Sequence, residues 1–405
     1  MTRVTGTVEL QALARRLAAL DPDQRRRVEE ELARRGVDLP AAVLTESTAS
    51  RASFSVYFFS SAEKAGRDRY RLLLAAADIA DRRGFEAVWT PERHFHTFGG
   101  PYPAPSVLAA ALATRTERVA LRAGSVVLPL HDPIRVAEEW SVVDNLSGGR
   151  AGISVASGFH PVDFVLAPDR FAGRREVLVD HLDVVHRLWR GEAVPARTGV
   201  GEEELIRIYP RPVQPTLPTW LTASGENDRS FELAGRLGVN VLTALLNQNV
   251  DQLARRITLY RTTLAEHGHD PDAHRVTVMI HTFVGDSDDD VRETVRQPLY
   301  QYLSTHLDLA RSLAASLSDT EDLGDYAEHE DALLEFGFER YVEHASLIGT
   351  PRRCADMVRR LVAVGVDEIA ALLDFGVDDD LVLASLERLA GLRDELSRVD
   401  GERSG

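Results

Sequence analysis

Cysteine is all but missing from this chain: Cys354 is the single one among 405 residues. That excludes an intramolecular disulfide and any multi-cysteine zinc or iron–sulfur centre, and it fits a reducing cytoplasm, the expected location. No apolar run approaches the roughly 18 residues that read as a membrane-spanning helix, so no membrane segment is expected. Met1–Gly6 leads into no apolar signal core. Short catalytic signatures are missing as well: there is no G-x-S-x-G, no Walker loop and no G-x-G-x-x-G. Lack of the last argues against a built-in nicotinamide-dinucleotide domain. No spacing of His, Asp and Glu matches a known ligand set, so no metal is expected.

What is present is acidic and globular. Hydrophobic residues make up 44%, enough for a substantial core, and the net charge is −16. Residues 1–50 hold eight basic and eight acidic side chains, so the whole excess of negative charge lies on 51–405. Such a body argues against nonspecific binding to nucleic acid or to an anionic membrane. Residues 8–35 read as two short helices, with Leu10, Leu13 and Leu17 on one face, Asp21-Pro22 opening the second, and Gly36 closing it. Residues 37–52 read as a linker. A hairpin this short buries little core of its own, so it is either a loose appendage or a docking element.

From Phe54 a rhythm begins. Short apolar strands are expected at 54–59, 86–90, 119–128, 151–156, 218–222, 239–243, 275–284 and 366–371, with helical patterns between them. Eight such repeats predict a (β/α)8 TIM barrel over 51–400, behind a helical N-terminal extension over 1–50. A doubly wound sheet is the second choice, and it usually has fewer strands. Three excursions, 91–104, 157–217 and about 290–350, follow the second, fourth and seventh strands. In a barrel these are insertions at the C-terminal mouth, where the loops carry the chemistry.

The densest of those loops is Glu92-Arg93-His94-Phe95-His96: a carboxylate, a cation and two imidazoles interleaved with aromatics. Charged groups mixed with bulky rings point to a partly buried polar site rather than to a solvated surface loop. After the first strand comes Ser60, after the fourth Ala156-Ser157-Gly158-Phe159-His160, and after the fifth Thr222-Ala223-Ser224-Gly225-Glu226-Asn227. Ser, Gly and Asn at a helix start offer N–H and hydroxyl donors to a phosphate; they also cap helices with no ligand at all. Asp144 and Arg150, either side of Ser147-Gly148-Gly149, are expected to form a structural ion pair.

Phe85–Gly100, Arg122–Trp140 and Val143–Arg150 together resemble the bacterial luciferase-like flavin monooxygenases, and more closely the branch associated with nonribosomal peptide and polyketide pathways. Ala156–Pro161, Pro210–Pro215 and His281–Asp286 resemble that branch too, so the likeness spans about 53–395. The resemblance implies a TIM barrel that takes reduced FMN and O2 as cosubstrates and transfers one oxygen atom. It also implies a separate flavin reductase and a homodimer. It implies flavin contacts from Ser60, Gly124, Ser125, Ala156, Ser157 and Gly158, a cis Gly124–Ser125 peptide, and a phosphate turn at Thr222, Ala223, Ser224 and Gly225. Luciferase has Glu-His-His-Phe where this chain has Glu92-Arg93-His94-Phe95. Arg93 would then steady developing negative charge, and His94, His96 or His160 would move a proton.

The implied substrate is a secondary-metabolite intermediate, free or tethered to a carrier protein, with N-hydroxylation the preferred reaction. Residues 8–35 would then dock to a nonribosomal peptide synthetase. A deazaflavin (F420)-dependent hydride transferase and a non-catalytic flavin-binding subunit are the alternatives.

Overall fold

The computed structural model describes residues 52–59, 69–95, 100–223, 228–246, 248–304 and 330–403. The expected docking helices at 8–35 lie outside them. Parallel strands alternate with helices to form the (β/α)8 barrel that the sequence rhythm predicts. The described residues fall into two compact units, one lying within Ser55–Thr222 with Asp374–Gly376, the other within Ala223–Leu373 with Val377–Arg403 and residues 52–54.

In the first unit the order is β1 (Ser53–Tyr57), α1 (Arg71–Arg83), β2 (Ala87–Thr90), α2 (Pro105–Ala113), β3 (Ala120–Val127), α3 (Pro133–Ser147), β4 (Ala151–Ala156) and α4 (Arg174–Arg190). A hairpin, β5 (Val194–Arg197) with β6 (Glu203–Ile206), then precedes β7 (Thr219–Thr222). Strands β1, β2, β3, β4 and β7 pair side by side, all parallel, with Val56 opposite Val88, Thr90 opposite Ala123 and Val155 opposite Leu221. The antiparallel β5–β6 pair stands apart, and sequence alternation did not reveal it because seven of its eight residues are at least partly exposed.

The helices obey local rules. On α1, Leu72, Leu73, Ala76, Ala77, Ile79 and Ala80 form the buried face, and Gly84 at φ 75° closes the helix by sending its N–H to the Ala80 carbonyl. Asp132 caps α3 by accepting the Ile134 N–H, with Pro133 in the first turn.

Between the strands, side chains stack in layers. In one layer the Trp89 ring meets Trp220 edge-on at 5.1 Å, and the Arg122 guanidinium lies over both, 5.1 and 4.4 Å from their ring centroids. The Trp89 indole N–H donates to Ser55 Oγ at 3.0 Å, and Glu86 pairs with Arg122 at 3.2 Å. A cation this deeply buried is tolerated because aromatic faces and a carboxylate replace its water.

The expected Asp144–Arg150 ion pair is corrected by the structure. Asp144 is fully buried and accepts the N–H groups of Val213 and Gln214 at 2.7 and 2.9 Å and the Gln214 amide at 2.6 Å. Arg150 instead donates to the carbonyls of Thr116, Val119 and Ser147. The two residues flank one turn, yet each fastens a different segment.

In the second unit come α5 (Arg229–Leu237), β8 (Asn240–Ala244), α6 (Val250–Glu266), β9 (Val276–Val284), α7 (Asp288–Ser304), α8 (Glu330–His344), β10 (Leu347–Gly349), α9 (Pro351–Ala363), β11 (Glu368–Leu372) and α10 (Asp379–Arg403). Strand β9, buried at all nine positions, is flanked by β8 and β11 in parallel register, and β10 extends its far end. Asn249 and Gln252 form a reciprocal capping box at the start of α6. The sequence rhythm did not anticipate β10 and α9: three strand residues carry no detectable period. Cys354 is buried on α9, where burial pushes its thiol up to about 12, an inert structural cysteine. Among the described residues no helix is long and apolar enough to cross a membrane.

Candidate active site

Strand β2 ends at Thr90, and Glu92 follows on the next loop with its carboxylate buried. Burying an ionised carboxylate is unfavourable unless its oxygens are satisfied. Here they are: Oε2 accepts the Val127 N–H at 2.8 Å, and Oε1 faces His94 Nε2 at 2.7 Å and His131 Nε2 at 2.6 Å. Burial by itself would raise the Glu92 carboxyl, but the His131 and His94 hydrogen bonds, the His131 charge and the Val127 N–H outweigh it and hold it below its ordinary value. Burial opposes a charge on His131 as well, yet its hydrogen bond to Glu92, the Glu92 charge and that of Glu139 lift it above the ordinary imidazole value.

Two neighbouring segments build this cluster. His94 lies two residues after Glu92. His131 caps the short 3-10 turn Leu128–Leu130 that ends β3, and Arg170 clasps that turn by donating to the Pro129 and His131 carbonyls at 3.1 and 2.8 Å. The sequence pointed to the Glu92–His96 loop and gave roles to Arg93, His94, His96 and His160, but none to Glu92 or His131. The available signal was adjacency: β2 and β3 are parallel neighbours, so the loops after them meet. The donor atoms of Glu92, His94 and His131 all lie within 4.8 Å of one another, a grouping that His94 and His96 spacing did not reveal.

Arg93 sits one residue from the carboxylate but extends its guanidinium over the Phe59 ring, 4.9 Å from the centroid, while its N–H bonds the Tyr102 carbonyl at 2.9 Å. Asp374 ties the same region together, accepting the Phe59 N–H at 2.6 Å and the Tyr102 hydroxyl at 3.2 Å. His160 is exposed on the loop after β4, 3.9 Å from Asp163. His96 lies outside the described residues, as do Ser60, Ser224 and Gly225.

The Gly124–Ser125 peptide is cis, as the resemblance implies. Gly124 also meets a requirement that was not foreseen. A Cβ there would come within 2.7 Å of the Tyr57 ring, and the Tyr57 hydroxyl donates to the Gly124 carbonyl. The close approach that demands glycine is therefore made by Tyr57, whatever else binds nearby. Ser125, Thr222 and Ser154 form a row of hydroxyls from β3, β7 and β4: Thr222 Oγ1 bonds Ser125 Oγ on one side and Ser154 Oγ, at 2.8 Å, on the other.

Ala156 ends β4 and Ser157 follows it, both half-buried. Gly158 has φ 75°, and a Cβ there would press on Val127 and Phe164, so its backbone and packing each require glycine. Ala223 is buried; its N–H bonds the Leu242 carbonyl, and its own carbonyl accepts from the Thr243 hydroxyl.

The donor set is one that a flavin ring can use. Aromatic rings (Tyr57, Phe59) supply apolar wall, the hydroxyl row of Ser125, Thr222 and Ser154 supplies donors and acceptors, and the Glu92 cluster supplies exchangeable protons.

Comparisons with known proteins give a family match and several relatives. A model of the luciferase-like monooxygenases matches residues 51–368. The chain is similar to the oxygenase component of the flavin-dependent trigonelline monooxygenase of Acinetobacter baylyi, 28% identical over 79% of this chain and 88% of the relative. It is similar to the 4-hydroxyprotoasukamycin monooxygenase of Streptomyces nodosus subsp. asukaensis, 28% identical over 71% of this chain and 75% of the relative. Among solved structures, the oxygenating constituent of 3,6-diketocamphane monooxygenase from Pseudomonas putida, in complex with FMN, superposes with a TM-score of 0.69 at 19% identity. That superposition covers 84% of this chain and 96% of the other, and at this identity it speaks to the fold alone.

Proposed function

Because this chain belongs to the luciferase-like monooxygenase family, we propose that it is a flavin-dependent monooxygenase that uses reduced FMN and O2 to oxygenate a secondary-metabolite intermediate, with N-hydroxylation as the preferred reaction. The observation that carries the reading is the extent of the family match, which takes in both the Glu92 loop and the Ser125–Thr222–Ser154 row. Reduced FMN, when bound, supplies the electrons that let one atom of O2 pass to substrate while the other leaves as water.

The residues of the chain hold and protonate. Ser125, Thr222 and Ser154 would orient the flavin ring, with Ser157 and Gly158 beside it; Ala223, its N–H already given to Leu242, would leave the phosphate to Ser224 and Gly225. Arg93 would offset negative charge from its seat on Phe59. His94, held by Glu92, would give and take a proton, with His96 and His160 as further candidates. The reduced flavin would come from a separate reductase, as the wording "oxygenase component" implies for the Acinetobacter relative.

The similarity to the Streptomyces enzyme supports a biosynthetic substrate, free or carrier-bound, and in the latter case residues 8–35 would dock the synthetase. A homodimer working in the cytoplasm completes the reading.

Anaerobic titration with reduced FMN, followed by mixing with O2 and intact-mass analysis of free and carrier-bound amines, tests this. A gain of one oxygen atom, dependent on reduced FMN, is the expected result. Tight binding of the deazaflavin F420 with hydride transfer and no oxygenation would replace the reading.

A further inference from the structure

The Glu92 cluster contains more than the catalytic candidates use. One carboxylate oxygen, Glu92 Oε1, faces the Nε2 atoms of both His94 and His131 at hydrogen-bond distance. Its other oxygen is taken by the Val127 N–H. An ionised carboxylate has no proton to give, so both rings must donate through Nε2. Each neutral ring then carries its lone pair at Nδ1, and each Nδ1 is the atom left to exchange a proton. The two rings differ in access: the His94 side chain is 11% exposed and that of His131 is 34%.

We infer that Glu92, His94 and His131 act as one proton-handling unit, in which Glu92 fixes both rings as Nε2–H donors and His131, the more exposed, stores the extra proton. This rests on the monooxygenase reading for its use in turnover, but not for its geometry. Glu92 is the positioning residue for both rings, and the stored proton sits on His131 Nδ1. The charges balance: an anionic Glu92 with one imidazolium is neutral overall. When a proton leaves from Nδ1 the unit becomes singly negative, both Nε2–H bonds persist, and solvent restores the proton at the exposed edge of His131.

The groups facing His131 favour that storage. Glu92 bonds it and Glu139 on α3 adds negative charge, while burial and the Arg170 guanidinium oppose. A divalent cation is the rival occupant, since the donor atoms lie close enough to share one. The two differ in tautomer: a metal held by these nitrogens needs lone pairs at both Nε2 atoms and places the protons on Nδ1.

Nitrogen-15 NMR of the full chain labelled at histidine, without flavin, separates them, with His94→Gln and His131→Gln providing assignment. The expected result is Nε2–H at both rings and an imidazolium at His131 that persists to higher pH than in Glu92→Gln. Nδ1–H tautomers, a His131 titration indifferent to Glu92→Gln, or stoichiometric zinc bound by the wild type and lost in His131→Gln would each overturn the inference. If Glu92→Gln does not fold, the wild-type tautomers still decide. In turnover, His131→Gln should retain reduced-FMN binding but lose about tenfold in oxygenation rate while wild-type His131 holds its proton, with the loss shrinking as pH rises and that proton is given up; an unchanged pH profile would count against the unit. Absence of oxygenation in the wild type with the tautomers as expected would sink the monooxygenase reading and leave this one standing.

Discussion

At the scale of single residues, Gly124 and Glu92 show how much of a site is decided by one neighbour. Gly124→Ala would drive a methyl into the Tyr57 ring at 2.7 Å. Tyr57 is buried, with Trp89 stacked 6.3 Å away, so it has little room to yield. The expected cost is about 1–3 kcal/mol, the usual range for overpacking. In a Tyr57→Ala background the added penalty should shrink toward zero, and a double-mutant cycle by urea unfolding checks the coupling. Glu92 and His131 give a pH signature. The folded Glu92 carboxyl lies below its ordinary value of 4.5, so its contribution is present above that value and is lost as pH falls through the lowered one. The folded His131 lies above 6.5, so its contribution is full below 6.5 and is lost as pH rises through the raised one. The pair therefore stabilises most between those limits. Comparing wild type with His131→Gln by chemical unfolding across pH should show a stability difference that narrows on the alkaline side; a constant difference would mean that packing, not charge, is what His131 contributes.

At the scale of elements, Asp144 at the end of α3 fastens the segment that leads into β7. Its carboxylate takes two backbone N–H groups, at Val213 and Gln214. Asp144→Ala would take the acceptor from both, Gln214 half-buried and Val213 exposed, at a cost of about 1–3 kcal/mol. Asp144→Asn should recover part of it, because an amide oxygen still accepts; equal losses for the two would show that the space, not the acceptor, matters. This contact also marks the limit of what the sequence made legible. The eight barrel strands and most helices could be read, because a buried parallel strand is a continuous apolar run and Gly84, Gly148 and Gly191 punctuate the helices that follow. The partners of Asp144 lie 69 and 70 residues away, and no local pattern links a carboxylate to a distant N–H. The candidate site divides the same way. Glu92, Arg93 and His94 stood out as charged groups among aromatics, but what Glu92 holds could not be read because His131 belongs to another loop. Only the pairing of β2 with β3 brings them onto one oxygen.

At the scale of the whole molecule, charge separates the chain into two parts with different prospects. The body from residue 51 onward carries the entire net charge of −16, while residues 1–50 balance eight basic against eight acidic groups. A body so acidic repels another acidic surface, and long-range repulsion slows encounter. A carrier or synthetase of the same sign would therefore gain most by engaging the balanced N-terminal segment, whose Arg25-Arg26-Arg27 run is its densest positive charge. Deleting residues 1–45 should then raise the Michaelis constant for a carrier-tethered substrate and leave turnover of the same group presented as a free thioester unchanged. The difference should shrink as ionic strength rises, since salt screens charges that lie beyond about 8–10 Å. Equal kinetics for full-length and truncated chains on the tethered substrate would remove the docking role from residues 8–35 while leaving the chemistry of the Glu92 loop untouched.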